Sequence, residues 1–250
     1  MDIAISNLAF NKNNIDTILN ILKKNNIKYI EGVLSKIEDI NKINNYDVKK
    51  YNGILKKQDI SFCSFQSIFF GSEINSFNDQ NCIKFLNKII NLCKITDARI
   101  LVLGSPNLRS KNSKKNLSKI LKTIEKNLLK NNMYLCIEPN SKIFNGNYFY
   151  DLKEISEFIY ENEYTNIKTM IDTFNLINEK FDPIEEYIKY KDIIKHIHVS
   201  EKNLMPISDK KFHYEFSNFI KKTNHIVTYE LREIENIEFY IENFCKIYKN

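Results

Sequence analysis

Short runs rich in Ile, Val and Leu recur along the chain, and the segments between them carry apolar residues at helical spacing. The runs are "DIAIS" (2–6), "IKYIEGVL" (27–34), "DISFCSFQSI" (59–68), "ARILVLGS" (98–105), "MYLCIEPN" (133–140), "IKTMIDT" (167–173), "IIKHIHVS" (193–200) and "HIVTYEL" (225–231). Each predicts a strand. Between them, "NIDTILNILKKN" places Ile15, Ile18, Leu19 and Leu22 on one helical face, and "KKNLSKILKTIEKNLLK" does the same with Leu117, Ile120, Leu121, Ile124 and Leu128. A last amphipathic stretch, "IENIEFYIENFCKIY", follows the eighth strand.

Eight strand–helix alternations in 250 residues predict an α/β protein, a (β/α)₈ TIM barrel forming one domain over residues 1–250. With 5 Gly and 4 Pro, no flexible linker marks a boundary. A doubly wound open sheet is the competing architecture. It would carry a Gly-rich phosphate turn after an early strand, and "ISNLAFNKNN" has none.

In such barrels the chemistry sits where strands end and βα loops begin. The polar residues at those ends are Glu31, Gln66, Ser105, Glu138, Asp172, His198 and Glu230. Four of them, Glu138, Asp172, His198 and Glu230, come from consecutive strands five to eight. Three carboxylates converging with one imidazole repel one another unless a cation lies between them. An oxygen-rich set of this kind suits Mn²⁺ or Mg²⁺, with Co²⁺ or Zn²⁺ also admissible. "HIH" puts His196 and His198 on one strand face. His198, nearer the strand's C-terminal end, is the better ligand; His196 lies deeper, as its supporting partner or as interior filler.

Composition narrows the classes. The net charge of +6 comes from Lys spread along the chain, without an arginine-rich block, which argues against a nucleic-acid partner and is equally compatible with a small anionic substrate. The 5 Cys are odd in number and lack C-x-x-C spacing, as expected of reduced core residues in a cytoplasmic protein. "MDIAISNLAF" is no signal peptide and no apolar run is long enough to span a membrane, so a soluble protein without a membrane partner is expected.

The strand motifs also carry a family resemblance. "ISNLAF" is similar to the first-strand "ISNIAW" of the sugar phosphate isomerases/epimerases, a group of xylose-isomerase-like TIM barrels; "IEGVLSKI" resembles their "IEIAPTKI", aligning Glu31 and Lys36. "SFQSIFFG" and "LVLGSPNLR" look like "QSLLFG" and "VFGSPKNR", and "IEPN" and "HIHVSE" complete the set. The resemblance implies a metal held by Glu138, Asp172, His198 and Glu230, with Glu138 and Glu230 doubling as catalytic acid and base. The implied reaction is isomerisation or epimerisation of a sugar or sugar phosphate. A carbon beside a carbonyl would lose its proton to one carboxylate while a cation offsets the charge of the enediolate.

The expected substrate contacts are Glu31, Lys36, Gln66, Ser105, Asn107, Arg109, Asn140, Asn175, Glu201 and Arg232. Arg109 and Lys36 offer positive charge at loop mouths, where Arg109 could take a phosphate or carboxylate in bidentate fashion. Asn107, Asn140 and Asn175 could hydrogen-bond sugar hydroxyls, and Arg232 could orient an anion. Two positions depart from the ketose 3-epimerases of the superfamily: their histidine three residues after the strand-six aspartate is Asn175 here, and their arginine six residues after the strand-seven histidine is Leu204. A free ketose is thereby put in question as substrate. Barrels of this kind often associate as homodimers or homotetramers. Two other classes stay open: a catalytically degenerate barrel serving as a sugar-binding or assembly module, and an endonuclease IV-like phosphodiesterase, for which 4 His are few.

Overall fold

Each apolar run forms a strand, and the eight close in chain order into a parallel barrel, with the last paired back to the first. This computed structural model describes residues 1–10 and 14–249, except the side chain of Asp79. The strands are β1 (Ile3–Ser6), β2 (Tyr29–Gly32), β3 (Ser61–Phe65), β4 (Ile100–Leu103), β5 (Tyr134–Ile137), β6 (Ile167–Asp172), β7 (Ile194–Val199) and β8 (Val227–Tyr229). The helices are α1 (Ile15–Lys24), α2 (Leu34–Ile37), α3 (Asn45–Lys56), α4 (Asp79–Lys94), α5 (Lys114–Lys130), α6 (Leu152–Glu161), α7 (Thr173–Asn178), α8 (Pro183–Tyr190), α9 (Lys210–Ile220) and α10 (Ile237–Tyr248).

The predicted helical faces are the ones that bury. Ile18, Leu19 and Leu22 of α1, and Leu117, Ile120, Leu121, Ile124 and Leu128 of α5, are all inaccessible and pack against the outer face of the strands. Short polar residues start the helices by accepting from the first free backbone N–H groups: Asn44 and Asp47 form a reciprocal cap on α3, Asp151 caps α6, and Asp182 caps α8 ahead of Pro183. All five cysteines are unpaired, as the chain's Cys spacing predicts. Among the described residues, no helix is long and apolar enough to cross a membrane.

Inside the barrel the two-residue period of a strand sets the layers. Val102, Cys136 and Met170 form a small inner apolar cluster, and two residues further along β4, β5 and β6 come Gly104, Glu138 and Asp172. An apolar layer thus floors a polar one at the C-terminal ends of the strands. The β6–β7 ladder slips register between Thr169 and Met170, and beyond the slip Asp172 pairs with His198. A second slip, between Ile30 and Glu31, lies in the β2–β3 ladder. Irregularities of this kind re-aim the side chains that follow them.

Candidate metal centre

Glu138, Asp172, His198 and Glu230 converge: one ligand atom from each lies within 4.8 Å of all the others. His198 Nδ1 is the pivot, 3.3 Å from Glu138 Oε1, 3.4 Å from Glu230 Oε2 and 3.9 Å from Asp172 Oδ2. Local structure aims each carboxylate. Asp172 caps α7, its Oδ1 accepting from Asn175 N–H at 2.7 Å, while Ser200 Oγ donates to Oδ2 at 2.9 Å. Asn140 Nδ2 donates to Glu138 Oε2 at 3.0 Å. Gly104 makes room for Glu138, since a Cβ at that position would collide with Glu138 Oε2.

The ring's other nitrogen faces away from the cavity. His198 Nε2 stands 2.7 Å from Glu31 Oε2, and His196 Nε2 stands 2.8 Å from Glu31 Oε1. Ser64 Oγ donates to Glu31 Oε1 at 2.7 Å. These contacts are short but poorly aligned, and neither ring nitrogen of His198 has a hydrogen bond of regular geometry. A fully buried imidazole nitrogen without a hydrogen-bond partner, facing three carboxylates, is what a divalent cation would satisfy, so the residues present fit one. The donors are three hard oxygens and one imidazole, which suits Mn²⁺ or Mg²⁺.

The electrostatics have the same origin. Burial, reinforced by the charges of Glu138 and Glu230, pushes the Asp172 carboxyl up to about 8. Burial also raises Glu230, with His198 working against it. Burial alone would lower His198, but Glu31 and Glu230 outweigh it and hold the imidazole well above its ordinary range. For Glu31, burial works upward and is overcome by His198 and His196, leaving the carboxyl below the usual range. Without a cation, the cluster holds together by retaining protons.

A cavity of about 270 Å³ opens above the four residues. Gln66, Ser105, Asn140, Asn175 and Glu201 line it, together with Phe144, Phe174 and Leu204. Several are already engaged. Gln66 Nε2 donates to Ser6 Oγ, and Asn175 Oδ1 accepts from Ser141 N–H. Glu201 accepts from Ser208 and stands 3.2 Å from His213 Nε2.

The other expected substrate contacts lie elsewhere. Glu31 is wholly buried beneath His198 rather than lining the cavity. Arg109 is buried because its guanidinium donates to four backbone carbonyls, those of Phe149, Leu103, Gly104 and Glu138, at 2.6–3.3 Å. It braces the ends of β4 and β5; its one unpartnered nitrogen, Nε, is buried, and the residue lines neither this cavity nor the one adjoining it, so it presents no edge to an anion there. Lys36 is half-buried on α2, and Arg232 is exposed after β8; both stand outside the cavity wall. Asn107 is exposed and lines an adjoining cavity. His213 is buried on α9 between Glu201 and Tyr248. No spacing signal connects it with Glu201, because the loop after β7 separates them.

The family model of the xylose isomerase-like TIM barrel matches residues 19–237. The chain belongs to that family. Among solved structures it resembles the 3-keto-D-glucoside 4-epimerase of E. coli, at 14% identity over 100% of both chains and a TM-score of 0.77. It also resembles a sugar phosphate isomerase/epimerase from Parabacteroides distasonis, at 14% identity over 94% of this chain and 87% of that one, with a TM-score of 0.71. A family 2 AP endonuclease from Brucella melitensis superimposes with a TM-score of 0.78 at 12% identity, covering 98% and 99% of the two chains. At such identities these likenesses show the fold. No curated protein matches at the sequence level.

Proposed function

We propose that this family member is a divalent-metal-dependent isomerase or epimerase of a sugar or sugar phosphate. The observation that carries the reading is the buried, hydrogen-bond-free Nδ1 of His198 among Glu138, Asp172 and Glu230, at the floor of a cavity. When bound, a divalent cation supplies Lewis acidity against the negative charge that grows on a hydroxyketone as its carbon-bound proton leaves.

The chain's own residues divide the remaining work. The Asp172 and His198 side chains are 1% and 0% exposed, which suits them to holding the centre. Those of Glu138 and Glu230 keep 13% and 10% exposure and line the cavity, so they are the carboxylates a substrate would meet. One takes the proton from the carbon beside the carbonyl. Return of a proton to the opposite face of that carbon gives an epimer; return to the neighbouring carbon gives the isomer. Asn140 keeps Glu138 aimed, and Phe144, Phe174 and Leu204 restrict water at the reacting carbon.

The phosphodiesterase reading is weaker, although an AP endonuclease shares the fold. A polynuclear centre needs further histidines facing the cavity. His213 lies on α9 against Tyr248, His225 stands beside Tyr187, and His196 is buried against Glu31.

The test is elemental analysis of protein purified without added metal, beside Asp172→Ala and His198→Ala, followed by solvent deuterium exchange on sugars and sugar phosphates with Glu138→Gln and Glu230→Gln. We expect about one metal per chain, lost in both ligand variants, and exchange abolished in both glutamate variants with the barrel still folded. Protein that binds no metal even when Mn²⁺ is supplied would instead be the degenerate barrel.

A further inference from the structure

A second cavity, of about 320 Å³, adjoins the metal-side cavity and shares three wall residues with it: Ser67, Ser105 and Pro106. Ser67 and Ser105 follow β3 and β4, and both hold left-handed backbone, at φ 51° and 52°. Eleven other described non-glycine residues do the same, so this backbone shapes the loops that wall the cavity without itself marking a ligand. The far walls are Phe70, Ile74 and Leu108, with Asn107 at the rim.

Phe70 is the unusual member, 61% exposed on a loop that is otherwise firmly held. Its neighbour Phe69 is buried, stacked on Phe85 at 5.2 Å and edge-on to Phe77 at 5.9 Å. Asn41 clamps the loop from the other side, donating to Gly71 O and accepting from Glu73 N–H. An ordered loop thus presents one aromatic ring to solvent beside a polar rim.

We propose that the substrate is a glycoside-like sugar bearing a second ring: the reacting ring lies over the metal centre, and the second lies in the adjoining cavity against Phe70. The proposal rests on the isomerase/epimerase reading above and extends it to a substrate class. Size supports it. The metal-side cavity alone falls just below the roughly 300–1,000 Å³ typical of small-molecule sites, and the two together fall well inside that range. Chemistry supports it too, because a pyranose has a C–H face that packs on an aromatic ring and hydroxyl edges that hydrogen-bond. Here Phe70 supplies the ring, while Ser67, Ser105 and Asn107 supply the polar partners.

The test is calorimetric binding by the Mn²⁺-supplied protein of D-fructose and of maltulose and isomaltulose, which are the same ketose with a glucose ring on O4 or O6. We expect at least one disaccharide to bind about tenfold tighter than fructose. Phe70→Ala and Asn107→Ala should each erode that gain and leave fructose affinity unchanged. Both positions are exposed, so folding is not at stake. Equal affinity for all three ligands, or a gain untouched in both variants, would overturn the proposal. Deuterium exchange on the same sugars separates the two readings: exchange on fructose without a disaccharide preference leaves the isomerase reading standing alone, and tight disaccharide binding without exchange on any sugar does the reverse.

Discussion

Removing the Arg109 guanidinium tests whether this residue binds substrate or holds the barrel. Four carbonyls accept from it, but not all depend on it. Leu103 O also receives Glu138 N–H at 3.1 Å, and Phe149 O also receives Asn140 N–H at 2.9 Å. Among the described residues, the carbonyls of Gly104 and Glu138 have no other donor. Arg109→Met would therefore orphan two buried acceptors, at about 1–3 kcal/mol each. Burial pulls the guanidinium down to about 10, so it is still charged at neutral pH, and relief of that buried charge offsets part of the loss. The net expectation is a loss of about 3 kcal/mol. For a chain of this size that lowers Tm by roughly 6–12 °C, read by thermal unfolding followed with circular dichroism. Because Arg109 is buried and lines neither cavity, the variant should keep the parent's preference between phosphorylated and unphosphorylated sugars, measured well below its Tm. A variant as stable as its parent that loses binding of phosphorylated sugars would refute the reasoning and restore Arg109 as an anion contact.

Three further outcomes follow from the centre. Glu31→Gln removes the charge that faces His198 Nε2 and should weaken Mn²⁺ binding by about 10–100-fold; unchanged affinity by calorimetry would show that Glu31 is only interior filler. Gly104→Ala drives a methyl group into Glu138 Oε2, so metal occupancy and exchange activity should both fall, and normal metal content in the variant would contradict the packing argument. Asp172 holds its proton up to about pH 8 in the metal-free protein and must release it to bind a cation. Mn²⁺ affinity should therefore rise with pH up to at least about 8, by roughly tenfold per unit from Asp172 alone and more steeply where His198, whose pKa is also raised, still holds its second proton. The sign for stability is the reverse. The folded carboxyl's pKa lies above its ordinary value, so the Asp172 contribution to the metal-free protein falls as pH rises from about 4 to about 8. Affinity that does not change between pH 6 and pH 8 would rule out protonation of Asp172.

Why the barrel and the convergence of four polar side chains could be read along the chain, and the engagement of their neighbours could not, comes down to how far each signal travels. A strand buried on both faces announces itself in five or six residues; Glu138 and Glu230 sit one step past such a strand, Asp172 at its end and His198 one step before the end. Glu31, near the end of β2, looks equivalent to them, and Arg109, six residues past β4, carries the same signal of charge at a loop mouth. What distinguishes them is the identity of their partners, which lie far away in sequence. Arg109 meets carbonyls contributed by residues 103, 104, 138 and 149, and nothing local marks that convergence. Glu31 follows a register slip in the β2–β3 ladder, and the next residue, Gly32, lacks the Cβ that would strike the Phe65 and Phe62 rings. With those rings packed close against the end of β2, Glu31 meets two histidines 165 and 167 positions later in the chain instead of the cavity. The same argument covers His213, whose bond to Glu201 joins a helix to a loop twelve residues away. A charged residue at a strand end therefore marks the right end of the barrel, while its role depends on whether its donors and acceptors are already spent, and only the folded chain shows that.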